Sequence, residues 1–541
     1  MSLLFLFLGF LAFSQAQAAD YPAAAKAKPF ELYPATNEAA PTAYAKTAPV
    51  FQADGKAWKF PYGPKVNVKV DATQVLHAVN PYQFGNNIAC WAGKKWVTDP
   101  DRVELAKQVG IKFWRWPGGS TSDLFHWDGK YDRPPKGQDN PANNNAAWAI
   151  SSDDFIDFCR KTGSEAIVTV NYGAARYADV QYAADMAARW VKYFNFDKKF
   201  KVRYWEIGNE MYGPWEEGNT LSGKPQLTGD VYGKDLKVIA EAMRKVDPDI
   251  FIGAVAFEKD GEAEYVGHHY WTKNLLEQLQ GKADYLILHQ YFGWPFDSAG
   301  NYTNPTNEVI FSNLRMLGED KASVEKIIDN YAPSEKGIPI ALTEFNIQNE
   351  APPPTIELLN GLYTAEVLGE QIKLGYVASN YWDWKNGLHA KNHGDHAMLA
   401  SGDPSAADGT PRPSYYTYAL YSRVFGDHLI SSDSSDPTVK VYASKFAGGE
   451  LGLIIVNEND KNKSVVFDLN GFKPHGKLMG WVLTGKDLND AQVSWNGELG
   501  PPGGGGPFPI NSIAPYRAAF KTDKPLQLPI QARSVTGVIL Y

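Results

Sequence analysis

From about residue 82 the chain alternates between short apolar runs and longer stretches with helical spacing. The apolar runs are rich in β-branched and aromatic residues and lie near 82–88, 112–116, 166–172, 202–208, 251–257, 285–291, 338–344 and 377–384. Between them, segments such as DPDRVELAKQVG, DDFIDFCRKTG and GKDLKVIAEAMRKVD carry apolar residues three and four apart, with acids early. Such segments read as amphipathic helices. Strand and helix alternating eight times predict a (β/α)8 barrel, with an open doubly wound sheet as the rival. No glycine-rich phosphate fingerprint follows the first strand, which weakens the rival in its dinucleotide-binding form.

From about 427 the rhythm changes. KVYASKF, LGLIIVNE, SVVFDLN, KLMGWVL, AQVSW and VTGVILY are short strands with turn residues and no helix between them. They predict an antiparallel β-sandwich, interrupted by the glycine- and proline-rich loop GELGPPGGGGPFP. VNVKVDA, at 66–72, alternates like an exposed strand and is a candidate to join that sandwich. The expected organisation is therefore a leader over 1–19, an Ala/Pro-rich lead-in over 20–65, a barrel over 66–426 and a sandwich over 427–541.

Composition narrows the function. Of 541 residues 44% are hydrophobic and 13% aromatic, and the formal net charge is −8. A nucleic-acid binder would show a basic face, so that class is set aside. The apolar run Leu3–Phe13, followed by Ala16-Gln17-Ala18, reads as a cleaved export signal, although no Lys or Arg precedes it. The run is too short to span a bilayer well, so no membrane partner is expected. Cys90 and Cys159 are the two cysteines; in an exported protein they either pair or stay as buried thiols.

In a barrel, chemistry gathers at the C-terminal ends of the strands. Those ends carry Arg115, Asn171 with Tyr172, Asn209 with Glu210, His289 with Tyr291, Glu344, and Asp383 with Trp384. Two carboxylates facing each other hydrolyse glycosides: one protonates the leaving oxygen, the other attacks the anomeric carbon or activates water. Glu210 lies in sequence among Trp205, Met211, Tyr212 and Trp215, a setting expected to raise its pKa and make it the acid. Glu344 is expected to stay ionised beside Arg115 and Tyr291, and Asn209 to offer an amide to a sugar hydroxyl. The loop HAKNHGDHAM holds His389, His393, Asp395 and His396; it is read as lining substrate, with no metal or cofactor expected. A G-x-S-x-G elbow is absent, which argues against an esterase.

These segments resemble the clan A glycoside hydrolases, which are retaining enzymes on (β/α)8 barrels. More narrowly, VRYWEIGNEMYGPWEEG, RWPGGSTSDLFHWDG, YLILHQYFG and the terminal ARSVTGVILY are similar to segments of glycoside hydrolase family 51. The resemblance implies Glu210 as acid/base and Glu344 as nucleophile. It implies Arg115, Asn209, His289 and Tyr291 around the central subsite, and Trp384 as a stacking platform. Asn171 and Tyr212, at the same rim, complete the expected substrate-binding set. Two segments depart from the family pattern. FGNNIACW stands where the arabinofuranosidases carry an acidic F-x-E-H grip, and LTEFNIQNE replaces a D-E-W-N form. The missing grip, with Trp91, Trp116, Tyr172, Tyr212, Trp215, Trp294 and Trp384 near strand ends, leads to an expected open cleft. The expected activity is then endo-acting on a β-1,4-glucan-type polysaccharide. The alternatives are an exo-acting α-L-arabinofuranosidase and an inactive carbohydrate-binding barrel.

Overall fold

The computed structural model describes residues 29–30, 45–129, 146–260, 270–293, 305–389 and 393–541. Within them the eight expected strands all form: β1 Gly85–Asn87, β2 Phe113–Trp116, β3 Glu165–Val170, β4 Tyr204–Ile207, β5 Phe251–Val255, β6 Tyr285–Tyr291, β7 Ile340–Asn346 and β8 Ser379–Tyr381. They pair in sequence order, all parallel, and β8 closes on β1 through Asn380–Gly85 and Tyr381–Asn86. A closed barrel has no free edge and aims every strand's C-terminal end at one mouth. The long insertion over 130–145 lies outside the described residues, as do the leader and Trp294.

The helices start and stop where local chemistry satisfies the backbone. The helix Ser152–Thr162 opens on a reciprocal cap between Ser151 and Asp154 and closes at Gly163, whose φ of +62° suits glycine. Its buried face holds Phe155, Phe158 and Cys159. The helix Pro100–Val109 is capped by the Asp99 side chain and has proline at its first turn.

Among the described residues the second unit is a twelve-stranded, mostly antiparallel sheet. The strand Lys65–Ala78 is interior to it, antiparallel to His428–Ser434 and parallel to Lys463–Asn470. Val66, Val68 and Val70 are buried while their alternating neighbours Lys65, Asn67 and Lys69 face water. The strand is thus half-buried, with Val66, Val68 and Val70 packed into a core of the sheet's own. The helices Leu358–Lys373 and Pro413–Val424 are buried along most of their length between barrel and sheet. Gly369 permits that approach: a Cβ there would meet the Tyr442 ring at 2.4 Å.

The lead-in is not a free tether where it is described. Phe30 is buried at the barrel's N-terminal end, stacked on Tyr204 at 4.4 Å and edge-on to Tyr82, Phe113 and Tyr285. Lys56–Ala57 pairs with Tyr516–Arg517. Aromatics scattered without a period through an Ala/Pro-rich stretch give no sign of which one is buried, so sequence patterning misses Phe30.

Candidate active site

The mouth of the barrel is organised by one buried cation. Arg115, at the end of β2, is fully buried. Its Nε donates to Glu206 at 2.6 Å, its Nη1 to Asn87 at 3.0 Å and to Glu344 at 3.2 Å, and its Nη2 to Asn209 at 2.7 Å. A buried guanidinium survives desolvation when its donors are matched by acceptors and counter-charge. Here β1, β4 and β7 supply them. Thr169 of β3 donates to the same Glu206 oxygen at 2.7 Å.

Above this platform the two carboxylates meet. One oxygen of Glu210, one oxygen of Glu344 and a ring nitrogen of His289 lie within 4.8 Å of one another. His289 Nδ1 is 2.9 Å from Glu210 Oε1 and 3.6 Å from Glu344 Oε2. Tyr291 donates to Glu344 Oε1 at 2.5 Å, and Trp215 Nε1 donates to Glu210 Oε2 at 2.9 Å. Glu210 has φ +32°, a left-handed conformation costly for a residue with a Cβ, and its carbonyl is bound by the Gly213 amide at 2.6 Å. Among the described residues, this trio alone has spacing that would also suit a divalent cation.

The protonation order is the reverse of the sequence expectation. Burial acts to raise the Glu210 carboxyl, but its hydrogen bond to His289, the His289 charge, Trp215 and Arg115 outweigh it, and the net shift is downward. Burial pushes Glu344 up; Glu210 adds to that, while His289, Arg115 and Tyr291 oppose it. The aromatic neighbours of Glu210 in sequence surround it only in part: Trp215 reaches it, and as a donor that favours the charged form rather than as an apolar wall. Trp205, by contrast, is buried against Trp190 on the outside of the barrel.

Five other expected positions are buried in packing or in fixed hydrogen bonds. Trp384 is fully buried, edge-on to Trp114 at 5.3 Å, so no ring face is left for a sugar. Trp382, two residues earlier, is the strand-eight tryptophan at the mouth. It lies against Gly119 and edge-on to Trp91 at 6.5 Å. Asn171 is buried and committed to the Tyr177 hydroxyl, the Phe125 carbonyl and the Ala174 amide. Tyr212 packs on Phe257 at 4.5 Å with little surface free. Trp116 and Tyr172, expected on the cleft, are fully buried: Trp116 stacks on Phe155, and the Tyr172 hydroxyl binds Asp235 at 2.9 Å.

In the histidine loop, His389 and His393 are exposed, while Asp395 pairs with Arg412 at 3.0 Å. His396 binds the Gln348 carbonyl at 3.0 Å, and burial pulls its pKa down to about 4. Asp395 and His396 are therefore engaged with protein partners. Cys90 and Cys159 are both buried thiols, unpaired with one another. Residues given no site role from the sequence include Glu206, an acid inside an apolar strand, together with Asn87, Trp382 and Glu216.

The chain is similar to known proteins in part of its sequence and in its fold. Residues 105–286 match the family model described as "Alpha-L-arabinofuranosidase 1 domain". The chain is 25% identical over 299 residues to an intracellular exo-α-(1→5)-L-arabinofuranosidase of Halalkalibacterium halodurans, covering 49% of this chain and 54% of that protein. It spans about half the length of the curated relatives matched first, from 42% to 54%. In fold it is similar to the family 51 α-L-arabinofuranosidase of Thermotoga petrophila RKU-1, with TM-score 0.65, 20% identity, and 88% of this chain and 100% of that one covered. The family 44 endoglucanase Cel44A of Clostridium thermocellum gives TM-score 0.60, 14% identity, and 88% and 100% coverage. At those identities the two structural likenesses carry the fold alone. Barrel, paired glutamates and matched domain together support a glycoside hydrolase of the clan A type. Within that clan the chain is most like glycoside hydrolase family 51.

Proposed function

We infer that the chain is a retaining glycosidase that releases terminal α-L-arabinofuranosyl residues by double displacement. The observation that carries the chemistry is the close approach of the Glu210 and Glu344 carboxylates, within 4.8 Å through their nearest oxygens. A separation of about 5 Å suits a nucleophile and an acid/base, and leaves no room for the water of an inverting enzyme. Glu344, bound by Arg115 and Tyr291, attacks the anomeric carbon. Glu210 protonates the leaving oxygen and then activates water. The glycosidic oxygen accepts a bond only from protonated Glu210, so bound substrate favours the proton there.

The endo-acting expectation has lost most of its support. It rested on the missing acidic grip after strand one and on a row of rings along a cleft; of those rings Trp116, Tyr172 and Trp384 are fully buried. Trp91, Trp215 and Trp382 remain near the mouth, a short platform suited to a terminal sugar. The matched domain and the names of the curated relatives support the arabinofuranoside reading ahead of the glucan one. An inactive binding barrel is disfavoured because both carboxylates are present and wired together.

Hydrolysis of an aryl α-L-arabinofuranoside, followed by proton NMR of the first-formed sugar, tests this reading. The retained anomer is expected. Loss of viscosity of a soluble β-glucan without arabinose release from arabinan would restore the endo reading. Export is a separate part of the proposal, motivated by Leu3–Phe13 and the Ala16-Gln17-Ala18 site. N-terminal sequencing of the mature protein checks it, and a cytoplasmic product retaining Leu3–Phe13 would refute it.

A further inference from the structure

A single seven-residue turn is linked to both catalytic carboxylates, to one directly and to the other through Asn209 and Arg115. It runs from Glu210 to Glu216. Trp215 reaches back to Glu210 directly, as described above. Glu216 works on the other carboxylate at a distance. Its Oε1 accepts from Asn209 Nδ2 at 2.9 Å and from Ser120 Oγ at 2.8 Å. Asn209 in turn offers Oδ1 to Arg115 Nη2, and Arg115 Nη1 reaches Glu344 Oε2. Glu216 is buried, and its Oε2 has no hydrogen-bond partner. A buried, half-satisfied carboxyl that plays no part in the proposed chemistry calls for an explanation.

We propose that Glu216 is a positioning residue, which fixes the orientation of the Asn209 amide and through it the hold of Arg115 on Glu344. This rests on the reading of Glu344 as nucleophile. An amide has one donor end and one acceptor end. With Glu216 taking the donor end, the acceptor end must face Arg115. Without Glu216, Asn209 Nδ2 is left buried and unpaired, and the Arg115 bond alone holds the amide against turning. A turned amide presents N–H groups to a guanidinium, which repels them. Arg115 then shifts, and Glu344 loses part of the charge that favours its ionised form.

The surroundings suit an uncharged Glu216. Burial, then Asp123 and Glu210, push its carboxyl well above the usual range, while Ser120 and Asn209 oppose the rise. Asp123, 0% exposed, is itself pushed up by burial, against bonds from the Asn209 and Tyr172 amides. The charged and titratable groups facing this network are Arg115 from β2, Glu206 of β4, Glu210, Asp123, His289 from β6 and Glu344 from β7. The sequence PWEEG gives no hint of this, since adjacent acids in a turn read as a solvated surface.

The test compares wild type with Glu216→Ala, Glu216→Asp and Glu216→Gln in the full chain. Glutamine keeps an acceptor at the same reach; aspartate keeps the acid but falls one methylene short. For Ala and Asp, kcat/KM on an aryl α-L-arabinofuranoside should fall on the order of 100-fold, as expected of a displaced catalytic group. The acid limb of the pH profile should move to higher pH, because Glu344 becomes harder to ionise. Gln should restore both rate and profile. A merely structural role would lower Tm and leave the acid limb in place, and that outcome would overturn the proposal. So would a Gln variant as impaired as Ala, or an Asp variant equal to wild type. Carboxyl 13C NMR of Glu344 reads the same shift without turnover. Failure of the glycosidase reading would appear as an inert wild type, with the NMR titration still deciding the part played by Glu216.

Discussion

Arg115 and Glu344 meet at 3.2 Å, with the guanidinium fully enclosed and the carboxylate nearly so. Because Arg115 also binds Glu206 at 2.6 Å, one cation offsets two buried acids. Replacing Arg115 by Met should therefore cost more than a lost contact. Two carboxylates would remain without their counter-charge, at about 3–5 kcal/mol of folding stability. Equilibrium denaturation checks this. A loss under about 1 kcal/mol, the range typical of exposed pairs, would mean that the acids are neutral in the folded protein.

The roles of the two glutamates separate by substrate. Glu344→Gln should leave the fold intact and lower kcat by roughly three orders of magnitude, since the covalent step is lost. A 2-fluoro arabinofuranoside should label Glu344 in the native protein, and a label elsewhere would reassign the nucleophile. Glu210→Ala should spare the first step for activated aryl leaving groups, which need no proton, and cripple natural glycosides. Azide should rescue it by taking the place of the activated water. Equal loss on both substrate types with no rescue would remove Glu210 from the acid/base role.

The barrel was legible because its signal is periodic and repeated: eight apolar runs each fell on an observed strand. The glutamate pair was legible because strand ends in a barrel converge. Side-chain direction just past a strand was not. Trp382 and Trp384 flank Asp383, and beyond Tyr381 the chain leaves the ladder, so alternation no longer says which ring faces the mouth. The electrostatics were hidden for a related reason. The imidazole that sets the Glu210 proton comes from β6, 79 residues away, and no local composition reports it.

That correction yields a paired prediction. Trp384→Ala empties a fully buried site against Trp114 and should cost about 3–5 kcal/mol of stability. The folded fraction should keep its kcat. Trp382→Ala removes a ring at the mouth, beside Gly119 and Trp91. It should leave stability closer to wild type and lower kcat/KM by about 10-fold or more, corresponding to about 1.4 kcal/mol of lost transition-state binding. Active-site titration alongside thermal melts separates the two effects. If Trp384→Ala raised KM while Trp382→Ala left it unchanged, the assignment of the platform would revert to Trp384.

A last prediction concerns the seam between barrel and sheet. Glu366, on the buried helix Leu358–Lys373, faces Glu458, just beyond the strand Leu451–Asn457. One oxygen of each carboxyl is buried without a hydrogen-bond partner. Burial pushes Glu366 well above the usual carboxylate range, Glu458 adds to that, and Lys440 opposes it. Burial likewise raises Glu458, against Lys440 and the bond from Glu366. A carboxyl whose pKa is higher in the folded state binds its proton more tightly there than in the unfolded chain. Its contribution to stability is full below the unfolded value of about 4.3, and is lost as pH rises through the folded value. Two acids left ionised at this seam would then repel across it. Glu366→Gln holds a neutral, hydrogen-bonding group there at every pH. It should raise Tm at pH 8, change it little at pH 4, and flatten the decline between them. Thermal melts of both proteins across that range, at fixed ionic strength, decide the matter. An equal Tm shift at both ends would show that Glu366 and Glu458 do not exchange a proton in that interval, and the seam would owe its stability to packing alone.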